Sequence, residues 1–204
     1  MPDITAHAGA LQTRPNTLES VKICLAAPGV RHVEVDVRFL PDGTPVLGHE
    51  KAGTVPLADC LALVAPTGKG LNLDMKETAN VPAVVALLRA YGMEKTGFFT
   101  GIAPSAAAAV RDCGVRYYLN CSPKKSGADA LALVELAKEL GAVGLNVCYR
   151  RCPAKLVAAA HKAGLPVSVW TVDKPRAMRR MLALSVDNIT TRRPDVWEEL
   201  LHAA

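Results

Sequence analysis

Short apolar runs alternate with longer helical patterns eight times along these 204 residues, and no other feature limits the fold as much. The runs read as strands are 4–7, 32–37, 71–75, 97–100, 116–120, 143–147, 166–170 and 186–190. The helical patterns between and after them are 17–27, 57–65, 81–91, 104–113, 128–140, 153–163, 176–184 and 194–203. Continuous apolar strands separated by helices argue for parallel βαβ units, and eight units close naturally into an α/β (β/α)8 TIM barrel. Helix punctuation agrees. Pro104, Pro153 and Pro194 stand where first turns begin, and Gly92, Gly114, Gly141 and Gly164 stand where helices stop. Asn16 and Thr17 are the candidate caps of the first helix. The rival, a doubly wound open sheet, lacks a GxGxxG after the first strand. A chain of 204 residues is short for a barrel, so we read one domain over 1–204 with little room for insertions.

Charge and cysteine usage narrow the setting. The net charge of +5 is mild, and the basic pairs Lys124-Lys125 and Arg192-Arg193 are not interleaved with aromatics. We therefore expect weak attraction for anionic substrates and no nucleic-acid groove. Cys24, Cys60, Cys113, Cys121, Cys148 and Cys152 form no CxxC pair and fall mostly in apolar stretches. That usage predicts free thiols in a reducing, cytoplasmic compartment. No leader pattern opens the chain, and no run of about twenty apolar residues could span a bilayer. Oligomeric state is left open.

Barrel active sites form at the C-terminal ends of the strands, so chemistry is sought there. The first three units carry the acids and histidines: His7, then Glu34 and Asp36, then Asp74 and Lys76, with His49 after Val46-Leu47. In Val33-Glu34-Val35-Asp36-Val37, alternate side chains share a side, so both carboxylates face inward while the valines pack beneath the helices. Leu73-Asp74-Met75-Lys76 repeats the pattern one strand on. Buried carboxylates repel one another and are costly to desolvate, so a cation belongs among them. Three carboxylates suit a hard divalent ion, Mg²⁺ or Ca²⁺. The competing reading is a structural ion pair, for which Lys76 suffices for one acid but not for three. His7 and His49 are the candidate general acid and base. His32, His161 and His202 are expected to be solvated. Trp170, ending the seventh strand, either walls the pocket or lines the barrel, while Trp197 packs a helix. Asn120 and Asn146 either bind substrate or satisfy buried backbone groups.

These stretches resemble the glycerophosphodiester phosphodiesterase family. Ala6-His7-Ala8-Gly9 and Arg14-Pro15-Asn16-Thr17-Leu18-Glu19 are similar to its HRG and PENT motifs. Val33 to Val37, Asp42-Gly43-Thr44-Pro45-Val46 and Gly48-His49-Glu50 resemble its ExD, DGxxV and HD series in order, and Leu73 to Lys76 its ExK segment. Val167 to Asp173 and Val186 to Thr191 look like its closing VWTVN and VDGIITD segments. The resemblance implies a metal-dependent phosphodiesterase of lipid metabolism, releasing glycerol phosphate and an alcohol. It assigns Glu34, Asp36 and Asp74 to the metal, His7 and His49 to acid–base catalysis, and Lys76 to the phosphate. Which histidine is the base stays open.

Three departures qualify it. The arginine after the first histidine is Ala8, for which Arg14 and Lys51 are the candidate substitutes; the glutamate of PENT is absent; and only residues 50–55 replace the insertion that usually follows HD. The shortened cover, with Asp74 in place of glutamate, is also similar to the related sphingomyelinase D group. The alternatives are therefore a phospholipase acting on (lyso)phospholipid headgroups and a non-catalytic phosphodiester-binding barrel.

Overall fold

A computed structural model describes residues 1–202 and shows a closed barrel of eight parallel strands with its helices outside. Strand β1 (Asp3–Ala6) leads to α1 (Leu18–Ala26), and β2 (Val30–Phe39) leads through a short β3 (Pro45–Leu47) to α2 (Leu57–Val64). Then β4 (Gly70–Met75) leads to α3 (Val81–Ala90), and β5 (Gly97–Ile102) to a 3₁₀ segment (Pro104–Ala109). The last four units are β6 (Tyr117–Cys121) with α4 (Ala130–Leu140), β7 (Gly144–Cys148) with α5 (Ala154–Lys162), β8 (Val167–Trp170) with α6 (Pro175–Ala183), and β9 (Asn188–Thr191) with α7 (Pro194–His202). The ring closes because β1 pairs in parallel with both β2 and β9. The expected helix end at residue 203 and the His202 side chain lie outside what is described.

The two-residue period of β2 does what the sequence predicts. Val33, Val35 and Val37 are buried in one apolar layer with Val21 and Cys24 of α1 and Leu57, Cys60, Leu61 and Val64 of α2. Each buried valine contributes about 1.5–3 kcal/mol as an upper bound. Glu34 and Asp36 therefore point into the barrel. Three of the helix stops also hold: Gly92, Gly141 and Gly164 follow α3, α4 and α5 with positive φ, whereas Gly114 has positive φ but stands five residues beyond the segment it was expected to end.

Four local expectations need correction. The expected helix at 104–113 is a 3₁₀ segment ending at Ala109, because its buried residues, Ala107 and Val110, are three apart. That spacing matches the 3₁₀ period and leaves no second apolar row for a full α-turn. Pro153 caps α5 from outside rather than opening its first turn. Residues 45–47, outside the eight expected strands, form a strand antiparallel to the end of β2. The hairpin follows from Asp42-Gly43: Gly43 has φ of +83°, and the Asp42 carboxylate accepts the Thr44 N–H at 2.9 Å.

The fourth correction is His32, expected in solvent but 9% exposed inside β2. Its ring packs perpendicular to Phe98 with centroids 5.2 Å apart, and its Nδ1 has no hydrogen-bond partner. A Cβ at Gly70 would run into this ring, which explains glycine at the start of β4. Burial, with lesser contributions from Arg116 and Arg31, lowers the His32 pKa from 6.5 to about 4. A histidine neutral in the fold and protonated when unfolded contributes stability that is lost as pH falls from 6.5 toward 4. The shift corresponds to about 3 kcal/mol. Urea unfolding of wild type and His32→Gln across that window should show a shallower pH dependence in the variant; identical slopes would refute the assignment. His161 is at the surface as expected, with Nε2 2.8 Å from Asp187.

Candidate active site

A cavity of about 620 Å³ opens at the C-terminal ends of the strands, and His7, Glu34, Asp36, His49, Asp74, Lys76 and Trp170 all line it. A comparable cavity of about 610 Å³ at the opposite face, around His32, Phe98 and Tyr118, contains none of these residues. The concentration of titratable groups decides between the two.

Oxygens of Glu34, Asp36 and Asp74 lie within 4.8 Å of one another, with the first two residues buried. The ladder explains the meeting, since Asp36 stands directly opposite Asp74 where β2 pairs with β4. Lys76 Nζ lies 2.8 Å from Asp36 Oδ1 and 2.5 Å from Asp74 Oδ2. One ammonium thus serves two carboxylates, more than the sequence suggested. Glu34 instead accepts the Ala8 N–H at 2.7 Å. Burial first, then the charges of Asp74 and Asp36, push the Glu34 carboxyl well above its usual range. Burial would lower Lys76, but Asp74 and Asp36 outweigh it and hold its pKa up. A hard dication fits this set. Metal–oxygen distances of about 2.0–2.6 Å allow ligands up to about 5 Å apart across one ion, and one lysine against three carboxyl groups leaves the set short of positive charge.

His7 sits just past β1, with Nδ1 2.7 Å from the Ala8 carbonyl and 3.6 Å from Glu34 Oε2. A carbonyl only accepts, so Nδ1 carries the proton and Nε2 keeps a free lone pair. Burial, with Arg192 adding to it, lowers the His7 pKa and favours this neutral ring. His49 is delivered by the hairpin: the Gly48 N–H bonds the Asp36 carbonyl at 3.0 Å, and the His49 carbonyl takes Arg38 Nε at 2.6 Å. Its ring is exposed, with Nδ1 2.8 Å from Glu50. Trp170 is 39% exposed on the cavity wall, so it is not a barrel-filling hydrophobe, whereas Trp197 is buried.

Several residues of the site escaped the sequence reading. Asn16, considered as a cap, is not one: Thr17 accepts the Ser20 N–H instead. With φ of +57°, Asn16 donates from Nδ2 to Asp36 Oδ2 at 2.7 Å and accepts the Asp36 N–H at 3.0 Å, holding that acid from both ends. Gly101, at φ of +78°, is required because a Cβ there would come within 2.5 Å of Asp74 Oδ1. Thr100 donates to Asn72 at 2.8 Å, and Asn146 donates to Asn120, which also accepts the Gly101 N–H at 3.0 Å. Both asparagines therefore satisfy protein groups while lining the cavity. The cation facing the site where Ala8 offers none is neither Arg14 nor Lys51, which lie outside the lining, but Arg192. The Leu11 N–H bonds the Arg192 carbonyl at 3.0 Å, and Asp173 holds the guanidinium at 3.2 Å. This pairing of chain ends across β1 and β9 leaves no local signal in sequence.

Residues 103–196 match the model of the glycerophosphoryl diester phosphodiesterase family. A Mycobacterium tuberculosis protein named "Probable glycerophosphodiester phosphodiesterase 2" is 25% identical over 220 residues, covering 86% of this chain and 81% of its own. Among solved structures, a glycerophosphodiester phosphodiesterase from Parabacteroides distasonis aligns with TM-score 0.82 at 19% identity, covering 99% of this chain and 97% of that one. A phosphodiesterase from Oleispira antarctica, solved with its product sn-glycerol-3-phosphate, aligns with TM-score 0.81 at 19% identity, covering 98% and 97%. These structural likenesses show the fold.

Proposed function

We propose, from the premise that this chain belongs to the glycerophosphoryl diester phosphodiesterase family, that it is a metal-dependent phosphoric diester hydrolase acting on glycerophosphodiesters as one barrel domain over 1–204. The observation that carries the reading is the Glu34–Asp36–Asp74 cluster facing His7, His49 and Lys76 in one cavity. A bound Mg²⁺ or Ca²⁺ on the three acids would supply charge stabilisation at the phosphoryl oxygens. With a dication on the carboxylates, the Lys76 ammonium is left for a phosphoryl oxygen, and Arg192 provides a second contact. Nε2 of His7 takes the proton from a glycerol hydroxyl that attacks phosphorus, and His49 protonates the departing alkoxide. Water then opens the cyclic phosphate with the two histidines exchanging roles, so glycerol phosphate and the alcohol leave with protons balanced. Trp170 forms a wall against the alcohol. Six unpaired cysteines support a reducing, cytoplasmic setting.

The sphingomyelinase D-like and non-catalytic readings are not favoured, because relatives are named as glycerophosphodiester phosphodiesterases and the Oleispira antarctica phosphodiesterase was solved with the product sn-glycerol-3-phosphate. Turnover of glycerophosphocholine and lysophosphatidylcholine, each with EDTA, Mg²⁺ or Ca²⁺, tests the choice. Metal-dependent release of glycerol phosphate from the first is expected. Exclusive turnover of the second would favour the lipid reading, and folded, metal-loaded protein inert on both would leave the binding barrel. In the same assay Arg192→Ala should lose about 10–10³-fold in kcat/KM, while Arg14→Ala stays unchanged. The reverse pattern would return the phosphate contact to Arg14.

A further inference from the structure

The basic residues that look scattered along the chain gather on one half of the active-site rim. The loops that follow β6, β7, β8 and β9 carry Lys124 and Lys125, Arg150 and Arg151, Lys174, and Arg192 and Arg193, all exposed. The same loops hold only two acids, Asp129 and Asp173. Seven positive against two negative is a surplus of five, equal to the +5 of the whole chain. Loops on the other half, after β1, β2, β3, β4 and β5, are balanced: Arg14, Lys51 and Lys76 against Asp42, Glu50 and Glu77. Asp173 pairs with Arg192, and Asp129 accepts the Lys124 N–H, so both acids are occupied within the rim. Arg193 pairs with Asp195 at the start of α7. The cations left are Lys124, Lys125, Arg150, Arg151 and Lys174, against the remaining charge of Asp129, a surplus of four. Trp170 is exposed at the end of β8, between the Arg150–Arg151 and Arg192–Arg193 loops.

We propose that this half-rim is a docking face for an anionic phospholipid bilayer, which turns the cavity mouth toward the membrane. Charge complementarity carries the assignment, because clustered lysine and arginine are drawn to acidic lipid surfaces within a Debye length. An exposed tryptophan among them is the side chain suited to the headgroup level. A nucleic-acid strand is the weaker match, since among the described residues Trp170 is the one exposed aromatic beside these charges, Tyr149 is half-buried under Arg150, and successive bases need successive aromatic platforms. The docking face stands without the catalytic reading. Its purpose, placing the site where lipid breakdown releases glycerophosphodiesters, rests on that reading.

Sedimentation with vesicles separates the cases. Wild-type protein is expected to pellet with phosphatidylcholine vesicles containing about one-third phosphatidylserine at low salt, to release at high salt, and to ignore pure phosphatidylcholine. Lys124→Glu/Lys125→Glu and Arg150→Glu/Arg151→Glu, made as separate pairs, should each weaken binding at least about tenfold. Arg14→Glu/Lys51→Glu on the balanced half should bind as wild type. Turnover of soluble glycerophosphocholine by the same proteins checks folding and keeps the two proposals apart: turnover without vesicle binding overturns only the docking face. No binding to anionic vesicles, equal binding to neutral ones, binding indifferent to charge reversal, or binding to a single-stranded oligonucleotide in place of vesicles would each overturn it.

Discussion

His7→Ala is expected to lower kcat on glycerophosphocholine by about 10²–10⁴-fold, the usual contribution of a positioned general base. The size follows from the tautomer. The Ala8 carbonyl holds Nδ1–H at 2.7 Å, so Nε2 is the nitrogen available to take a proton, and the low pKa caused by burial and Arg192 keeps the ring neutral at pH 7. The activity should accordingly fall on the acid side as that nitrogen protonates. KM should change little, because the phosphate contacts assigned to Lys76 and Arg192 remain. Metal-induced thermal stabilisation, measured on the same variant, should survive, since His7 is not assigned to the ion. Wild-type kcat in His7→Ala would sink the assignment of the base; loss of metal stabilisation together with kcat would instead place His7 among the ligands.

Glu34→Gln should separate stability from function. The Glu34 carboxylate is buried and faces two further acids, which the Ala8 N–H, the more distant His7 and the charge of Lys76 offset only in part. Its folded pKa is raised, so its contribution to stability is fully present below the unfolded value near 4.5 and is lost as pH rises through the folded value. At pH 7 the metal-free protein therefore bears a penalty that a neutral amide lacks. Glutamine also retains an oxygen for the Ala8 N–H. We expect the metal-free variant to melt a few degrees above wild type, on the order of 1 kcal/mol or more, with the gain shrinking toward pH 4. Added Mg²⁺ or Ca²⁺ should raise the melting temperature of wild type but scarcely that of the variant, and turnover should fall by at least about tenfold. A variant less stable than wild type without metal would mean that the three acids are a satisfied structural ion-pair set, with Lys76 sufficient for all of them.

The two cases differ in how far the sequence could see them. Glu34, Asp36, Asp74 and Lys76 were legible because a strand places alternate residues on one side, and two adjacent parallel strands in register set the acids opposite one another. His49 was legible as a residue but not its delivery, which depends on the hairpin at Asp42-Gly43 and on the Gly48 N–H reaching Asp36. His32 was misread because its place in the period was right but the strand begins two residues earlier, at Val30, which carries the ring into the interior against Phe98.

The sequence by itself determined the eight parallel strands and seven of the eight helices between and after them, the inward acids and the apolar layer behind them, since all follow from periodicity within a few neighbouring residues. Only the tertiary structure decided what depends on closing the ring. Closure sets Arg192 beside the first strand's loop, turns Asn16 onto Asp36, and gathers Lys124, Arg150 and Lys174 onto one half of the rim. The physical reason is that a barrel makes neighbours of the first and last strands and of loops some 25 residues apart, and side-chain periodicity carries no record of such distances.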